Sequence, residues 1–345
     1  MTTIRDVAKE SGVSIATVSY VLNDGPRPVK AATRQRVLKA MHRLNYHPNA
    51  MARALASGRA ETLGIVFGSV EPAIVTNLYV VGVLQGIMTA AAAAGYGVTL
   101  FPRPWISAEK SAWRVNDGRC DGLVIVAPLN NTDMVESLSA LGLPLVVVSA
   151  ATPEESGIPF VDVDNALGIR LGTEHLLALG HRRIAHIMGD ESQRSVHERR
   201  ASFIATMRAH GLGPPPEYLA PCSYNARRCS EEATRLLALP KRPTAFVAGN
   251  DTLALSAIRT AQELGERVPQ ELSIVGFDDI PTSALVTPAL TTVRQPLAEI
   301  GERAASLLLA RIDGVETTNS SSRARPELVV RNSTAPPATF RFPAC

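Results

Sequence analysis

The run Thr3-Ile4-Arg5-Asp6-Val7-Ala8-Lys9-Glu10-Ser11-Gly12-Val13-Ser14-Ile15-Ala16-Thr17-Val18-Ser19-Tyr20-Val21-Leu22 decides how the chain begins to fold. Thr3 is a good N-cap, and Ile4, Val7 and Ala8 recur at helical spacing, which predicts a short helix over residues 3–11. Gly12 supplies the permissive backbone of a tight turn. Ser14 then opens a second helix carrying Thr17, Val18, Val21 and Leu22, and Asn23-Asp24-Gly25-Pro26 ends it. A third helix, over about residues 31–45, is expected to bury Val37, Leu38, Met41 and Leu44. Two helices joined at a glycine turn and braced by a third make a helix-turn-helix.

Charge separates this head from the rest. Residues 1–60 carry ten basic and three acidic side chains, whereas the remainder carries 25 basic and 29 acidic ones. A basic head on a mildly acidic body points to a polyanion as partner of the head alone, although a solvated basic face has the same composition. No apolar stretch is long enough to span a membrane, and MTTIRDVAKESG has no apolar core of a secretory signal, so a cytoplasmic location is expected. Cys120, Cys222, Cys229 and Cys345 fall at no metal-ligand spacing and read as reduced structural thiols.

Beyond residue 60 buried-strand runs (Leu63–Phe67, Val98–Phe101, Gly122–Val126, Leu145–Val148, Ile184–Met188, Ala245–Ala248, Ser273–Gly276) alternate with helical stretches at 80–94, 165–179, 196–211, 227–238, 251–264 and 294–312. That rhythm predicts parallel sheets covered by helices, with strands enough for two. Residues 318–326 read as a polar loop, and the chain is expected to fray after about residue 336.

Thr3–Ala8, Gly12-Val13-Ser14, Thr17-Val18-Ser19 and Val21-Leu22-Asn23 together resemble the headpiece of the lactose-repressor/galactose-repressor (LacI/GalR) family of transcription regulators. Leu44–Leu55 resembles that family's hinge. The resemblance extends over the body, through Val161–Asn165, Gly180–Ala185, Asn250-Asp251, Val275–Asp279, Leu290–Val293 and Arg331–Thr334. It implies an all-α helix-turn-helix headpiece (1–47), a hinge helix and linker (48–60), and an α/β, two-lobed, periplasmic-binding-protein-like sensor (61–336), with a tail at 337–345. The lobes are expected to be about 61–160 with 292–322, and about 161–291 with 323–336.

Residues for contact with DNA follow from the same resemblance: Thr3, Ser14, Ile15, Ala16, Thr17, Ser19, Tyr20 and Asn23 in the head, and Asn49, Ala52, Arg53 and Leu55 in the hinge. Ile15 and Ala16 suit apolar contact with thymine methyl groups, and Thr17 and Ser19 suit phosphates. Tyr20 stands where many members carry arginine, so bidentate pairing to guanine is lost there. A hinge helix of about eight residues, capped by Asn49 and stopped by Gly58, is marginal alone and is expected to fold on DNA. Leu55 would wedge into a minor-groove step, though a leucine at helical spacing also reads as core.

The resemblance places the effector at Asn77, Tyr79, Asp164, Arg199, Asn250 and Asp278, a set that suits a polyol. Taken alone, Arg199 also fits a solvated helix face, Asn250 a helix N-cap, Asp278 a turn cap and Tyr79 an ordinary tyrosine, and Asp164 has Asp162 nearby. The family's Asn-Pro-aromatic-aromatic run is replaced by Asn77-Leu78-Tyr79-Val80, which argues against a purine-like ligand and for a carbohydrate or related metabolite. The wide apolar surface of helix 80–94 suggests a homodimer, with further pairing into tetramers left open. The expected function is a repressor whose affinity for a pseudo-palindromic double-stranded operator depends on a small-molecule effector, with no cofactor, metal or membrane partner. The alternative is a solute-binding protein with no regulatory role. GxxxxGK[ST], GxSxG and HExxH are absent, so no catalytic residues are expected.

Overall fold

The computed structural model describes residues 2–22, 28–47, 54, 58–69, 77–317 and 320–338. The chain divides into two compact units, Met1–Glu61 and Thr62–Cys345.

In the first unit three helices, α1 (Ile4–Ser11), α2 (Ile15–Leu22) and α3 (Ala31–Arg43), enclose a small core of Val7, Ala8, Val18, Val21, Val37 and Ala40. Thr3 and Asp6 form a reciprocal capping box at the start of α1. Gly12 closes that helix at φ +64°, a left-handed conformation that favours glycine. Leu38, expected in the core, is 49% exposed: Val37 and Ala40 take the inward face of α3, and Leu38 is turned away from it.

The second unit carries two six-stranded sheets. The first has the order β11-β5-β4-β3-β1-β2, with β1 Thr62–Phe67, β2 Gly97–Phe101, β3 Gly122–Val126, β4 Leu145–Val148, β5 Phe160–Val163 and β11 Ser322–Ala324, all parallel. The second has the order β12-β10-β9-β8-β6-β7, with β6 Ile184–Met188, β7 Leu219–Pro221, β8 Ala245–Ala248, β9 Ser273–Asp278, β10 Thr291–Arg294 and β12 Glu327–Val329; only β12 runs antiparallel. Wholly buried runs such as Leu145–Val148 and Ala245–Ala248 fit strands covered on both faces. Helices α4 (Leu78–Ala93), α5 (Ala108–Val115), α6 (Met134–Ser139) and α11 (Leu297–Ile312) belong to the first lobe. Helices α7 (Asn165–Ala178), α8 (Arg194–Ala209), α9 (Ala226–Leu237) and α10 (Asp251–Glu263) belong to the second. Among the described residues no helix is long and apolar enough to cross a membrane.

Several features depart from the sequence expectation, among them the short strands β5, β7, β10 and β12, which no uninterrupted apolar run marks. The polar segment 318–326 contains a strand, β11, which adds to the edge of the first sheet by pairing with β5; a three-residue edge strand needs no apolar run because its partner supplies the backbone bonds. The chain crosses between lobes after β5, after β10 and between β11 and β12, a few residues beyond the expected boundaries, because each of these strands is completed before the passage. Helices α5 and α6 are too short to show a clear period and were not predicted.

Helices α4 and α11 pack so closely that two glycines admit no side chain. A Cβ on Gly86 would lie 1.9 Å from the Ala298 carbonyl oxygen, and one on Gly301 would lie 2.1 Å from that of Val83. Gly86→Ala is expected to destabilise the body by at least about 1–3 kcal/mol, the usual cost of overpacking. Gly95→Ala faces open space at φ +77° and should cost only about 1 kcal/mol of backbone preference. Urea midpoints of the two variants would compare them, and equal shifts would refute this account of the interface.

Candidate effector cleft and nucleic-acid interface

The carboxyl ends of both sheets face a common cleft of about 150 Å³. It brings together Asn77, Tyr79, Arg199, Asn250 and Asp278, five of the six positions expected from sequence. Asp164 is the exception. Strand β5 ends at Val163, so Asp164 turns back as the N-cap of α7 and accepts from the Leu167 amide at 2.8 Å. Asp162, 4% exposed, lines the cleft in its place.

Arg199 is 6% exposed, and its guanidinium is held from three sides. Nε donates to Asn165 Oδ1 at 2.8 Å, Nη1 donates to the Gly249 carbonyl at 2.5 Å, and Cζ lies 3.8 Å from the Phe277 ring centroid. Asn165 is itself fixed, since its Nδ2 donates to Asp162 Oδ2 at 3.1 Å and to Glu198 Oε2 at 3.3 Å. The cation is therefore placed before any ligand arrives.

Opposite it stands Asp278, 5% exposed, whose Oδ1 accepts from Gln295 Nε2 at 2.6 Å. Burial, with the nearby Asp251 carboxylate adding to it, pushes the Asp278 carboxyl up to about 8 despite Arg199. Burial likewise raises Asp162 to about 6. Asp251 serves the scaffold: it is wholly buried and accepts from the Ile280 amide at 3.0 Å, from Ser283 Oγ at 2.6 Å and from Thr292 Oγ1 at 2.5 Å. These bonds tie down the turn that follows Asp278.

Two predicted residues do double duty. Asn250 caps α10 through Oδ1, accepting from Leu253 N at 2.9 Å, and Asn77 caps α4 by accepting from Tyr79 N at 3.1 Å. Tyr79 shares a hydrogen bond with Ser149. Ala127, Ser149, Ser223, Tyr224 and Asp278 all line the cleft, and all hold positive φ without being glycine. Such conformations cost on the order of 1–3 kcal/mol each and collect where side chains must be aimed.

Ser149, Asp162, Asp190, Gln193, Ser195, Tyr224 and Gln295 were not anticipated. A signal for several was available, because Ser149 follows β4, Asp190 follows β6 and Gln295 follows β10 within two residues, where polar side chains meet ligands in parallel sheets. Tyr224 lies against Gly189 and supplies an aromatic surface missing from the Asn77–Val80 run.

In the first unit, Ser14, Ile15 and Ala16 are exposed at the amino end of α2, with Ile15 45% exposed. Thr17, Ser19 and Tyr20 are half-buried further along. Ser14 Oγ accepts from Thr17 N at 3.1 Å and shares a hydrogen bond with the Thr17 hydroxyl at 2.9 Å. The Thr3 hydroxyl is engaged with Asp6 Oδ2 at 2.8 Å. Asn23, Asn49, Ala52, Arg53 and Leu55 lie outside the described residues. Cys120, Cys222 and Cys229 are buried and unbridged.

Residues 3–49 match the family described as bacterial regulatory proteins, lacI family, and residues 173–334 match a periplasmic binding protein-like domain. The HTH-type transcriptional repressor PurR of Vibrio parahaemolyticus serotype O3:K6 is 31% identical over 96% of this chain and 98% of its own. A lac repressor dimer bound to operator and the anti-inducer ONPF superposes with a TM-score of 0.85 at 28% identity, covering 97% of this chain and 99% of that one. A CelR–cellobiose complex superposes at 0.72 with 27% identity, covering 96% and 100%.

The charge placement has a consequence for stability. With its carboxyl raised to about 8, folded Asp278 keeps a proton that the unfolded chain releases near 4. Its contribution is therefore present below about pH 4 and is lost as pH rises to about 8. Asp278→Asn should remove that decline, so that the variant gains on the parent by up to a few kcal/mol between about pH 5 and 8. Thermal midpoints across that range, without ligand, would test it; parallel curves would show that Asp278 does not titrate there.

Proposed function

We propose, on the premise that this chain belongs to the lacI family of bacterial regulatory proteins and is a DNA-binding transcription regulator, that its affinity for operator is set by a carbohydrate or closely related polyol held in the cleft. The observation that carries the ligand assignment is the ring of Asp162, Asp190 and Asp278 around a single preset guanidinium. Carboxylates accept from hydroxyls, a guanidinium donates in a fixed fork, and the Asn250 amide nitrogen has no acceptor among the described residues. A carboxyl near 8 can offer vicinal hydroxyls either a proton or a lone pair. Tyr79, Tyr224 and Phe67 supply apolar surface for a sugar face.

The protein acts as a repressor in the cytoplasm, as a homodimer on pseudo-palindromic duplex DNA. Support for the dimer comes from α4, which exposes Leu78, Val81 and Met88 along one stripe while Val80, Val83, Gly86, Ile87 and Ala91 form its buried face. Two heads related by a two-fold axis would present Ile15 and Ala16 to successive major grooves, with Ser14, Thr17, Ser19, Tyr20 and Asn23 around them. The hinge residues Asn49, Ala52, Arg53 and Leu55 would enter the minor groove between the heads. Effector binding changes the angle of the lobes and so the spacing of the hinges, with reciprocal coupling of about 1–3 kcal/mol.

Two measurements test this. Arg199→Met should lose at least about tenfold in binding of a stabilising sugar, since a buried fork is removed, while operator affinity stays within about threefold. A thermal-shift screen of sugars and purines would identify that sugar, and a purine as the sole stabilising ligand would overturn the carbohydrate assignment. Leu55→Ala should leave the thermal midpoint of the body unchanged and weaken specific operator binding by about tenfold or more. Unchanged specific affinity in a salt-controlled titration would defeat the wedge.

A further inference from the structure

We infer that the first lobe holds a second ligand site, built for a small aromatic anion, between the carboxyl end of β2 and α5. A cavity of about 300 Å³ lies there and shares no lining residue with the effector cleft. The alternation of β1 separates the two: Phe67 lines the cleft and its neighbour Val66 lines this cavity.

The walls are built deliberately by the local chemistry. β2 is an edge strand, and Pro102 and Pro104 follow it at once, so the chain leaves the sheet instead of extending it. Asp133 then pins the loop, accepting from Trp105 Nε1 at 2.7 Å and from the Ala108 amide at 3.3 Å. The Ile106 amide donates to Ser111 Oγ at 3.0 Å, which fixes the entry to α5. Trp105 is thus a held wall, and Trp113, 64% exposed, also lines the cavity. The chain has two tryptophans, and both line this cavity.

Its charge is one-sided. Arg103, Arg114 and Arg119 line the cavity, against the single carboxylate of Asp117. That carboxylate is taken by Arg119 at 2.7 Å, and Arg119 also lies 5.0 Å from the Phe101 ring centroid. Arg114 packs on Trp113 at 5.4 Å, and its Nε is sealed from solvent with no hydrogen-bond partner among the described residues. Among the described residues, then, no carboxylate pairs with Arg103 or Arg114, which share the cavity wall with both indoles. The effector cleft, by contrast, surrounds one arginine with carboxylates. Guanidinium forks select carboxylates and phosphates, and indole faces select planar rings, so the combination fits a compact ring bearing one acidic group better than a polyol.

Tryptophan emission of the full chain reports on this cavity directly. Titration with benzoate should give a saturable change, at least tenfold weaker with benzyl alcohol, which keeps the ring without the charge, and with inorganic phosphate, which keeps the charge without the ring. Arg103→Ala and Arg114→Met should each weaken benzoate by tenfold or more, with far-ultraviolet circular dichroism unchanged, whereas Arg199→Met in the effector cleft should leave it unaffected. A response that is linear and matched by free N-acetyltryptophanamide would overturn the site. So would benzoate affinity unaltered in Arg103→Ala, or phosphate binding as tightly as benzoate.

Discussion

The chain passes between its two sheets three times, and each passage starts from the carboxyl end of the strand it leaves, β5, β10 or β11. A polypeptide leaving a parallel strand must leave at that end, so pivot and ligand site are forced into the same place. Asp162 stands just before the first passage and Gln295 within the second. Beside the third, Arg323 reaches from β11 across to Glu198 on α8, with Nη1 and Nη2 at 3.1 and 3.0 Å from its two carboxylate oxygens. Glu198 also accepts from Asn165, which holds Arg199. The residue that aims the Arg199 guanidinium in the cleft is thereby bonded into a contact between lobes. This network offers a path by which a change of lobe angle would reach the guanidinium, and a ligand that binds one angle more tightly would in turn favour it.

The site is costly for the fold. Carboxylates are buried with raised pKa values, five lining residues hold positive φ, and a guanidinium is withdrawn from water. The surrounding structure offsets this by rigid means. Asp251 spends its oxygens on the Ile280 amide, Ser283 and Thr292, and a Cβ on Gly276 would lie 2.2 Å from Asp251 Oδ1, so the pocket behind Asp278 is already full. The glycine contacts between α4 and α11 do the same for the first lobe. Both devices keep polar groups aimed where no ligand is needed to order them.

The head was legible because its residues interact locally. The Thr3–Asp6 capping box, the left-handed Gly12 and the spacing of Val7, Ala8, Val18 and Val21 all act within a turn or two of the chain, and short-range patterns record such effects. Leu38 misled because it adjoins Val37, and consecutive helical residues point about 100° apart, so both cannot sit at the centre of the buried face. In the body, the recognised strands announced themselves by short, mostly apolar runs such as Gly122–Val126 and Leu145–Val148. β11 did not, since an edge strand takes its pairing from β5 at a sequence distance of about 160 residues.

By itself, then, the sequence determined two periods, 3.6 and 2, the charge division at residue 60 and the family motifs, and these were enough for the architecture and for five cleft residues. The tertiary structure alone decided which aspartate enters the cleft, because that depends on where β5 stops and α7 begins, a matter of one residue's backbone. It alone decided that Arg199 is buried on Phe277 rather than solvated, and that Trp105, Trp113 and three arginines converge on one cavity. Convergence of groups from separate elements is fixed by how layers pack, and no local pattern in the chain encodes it.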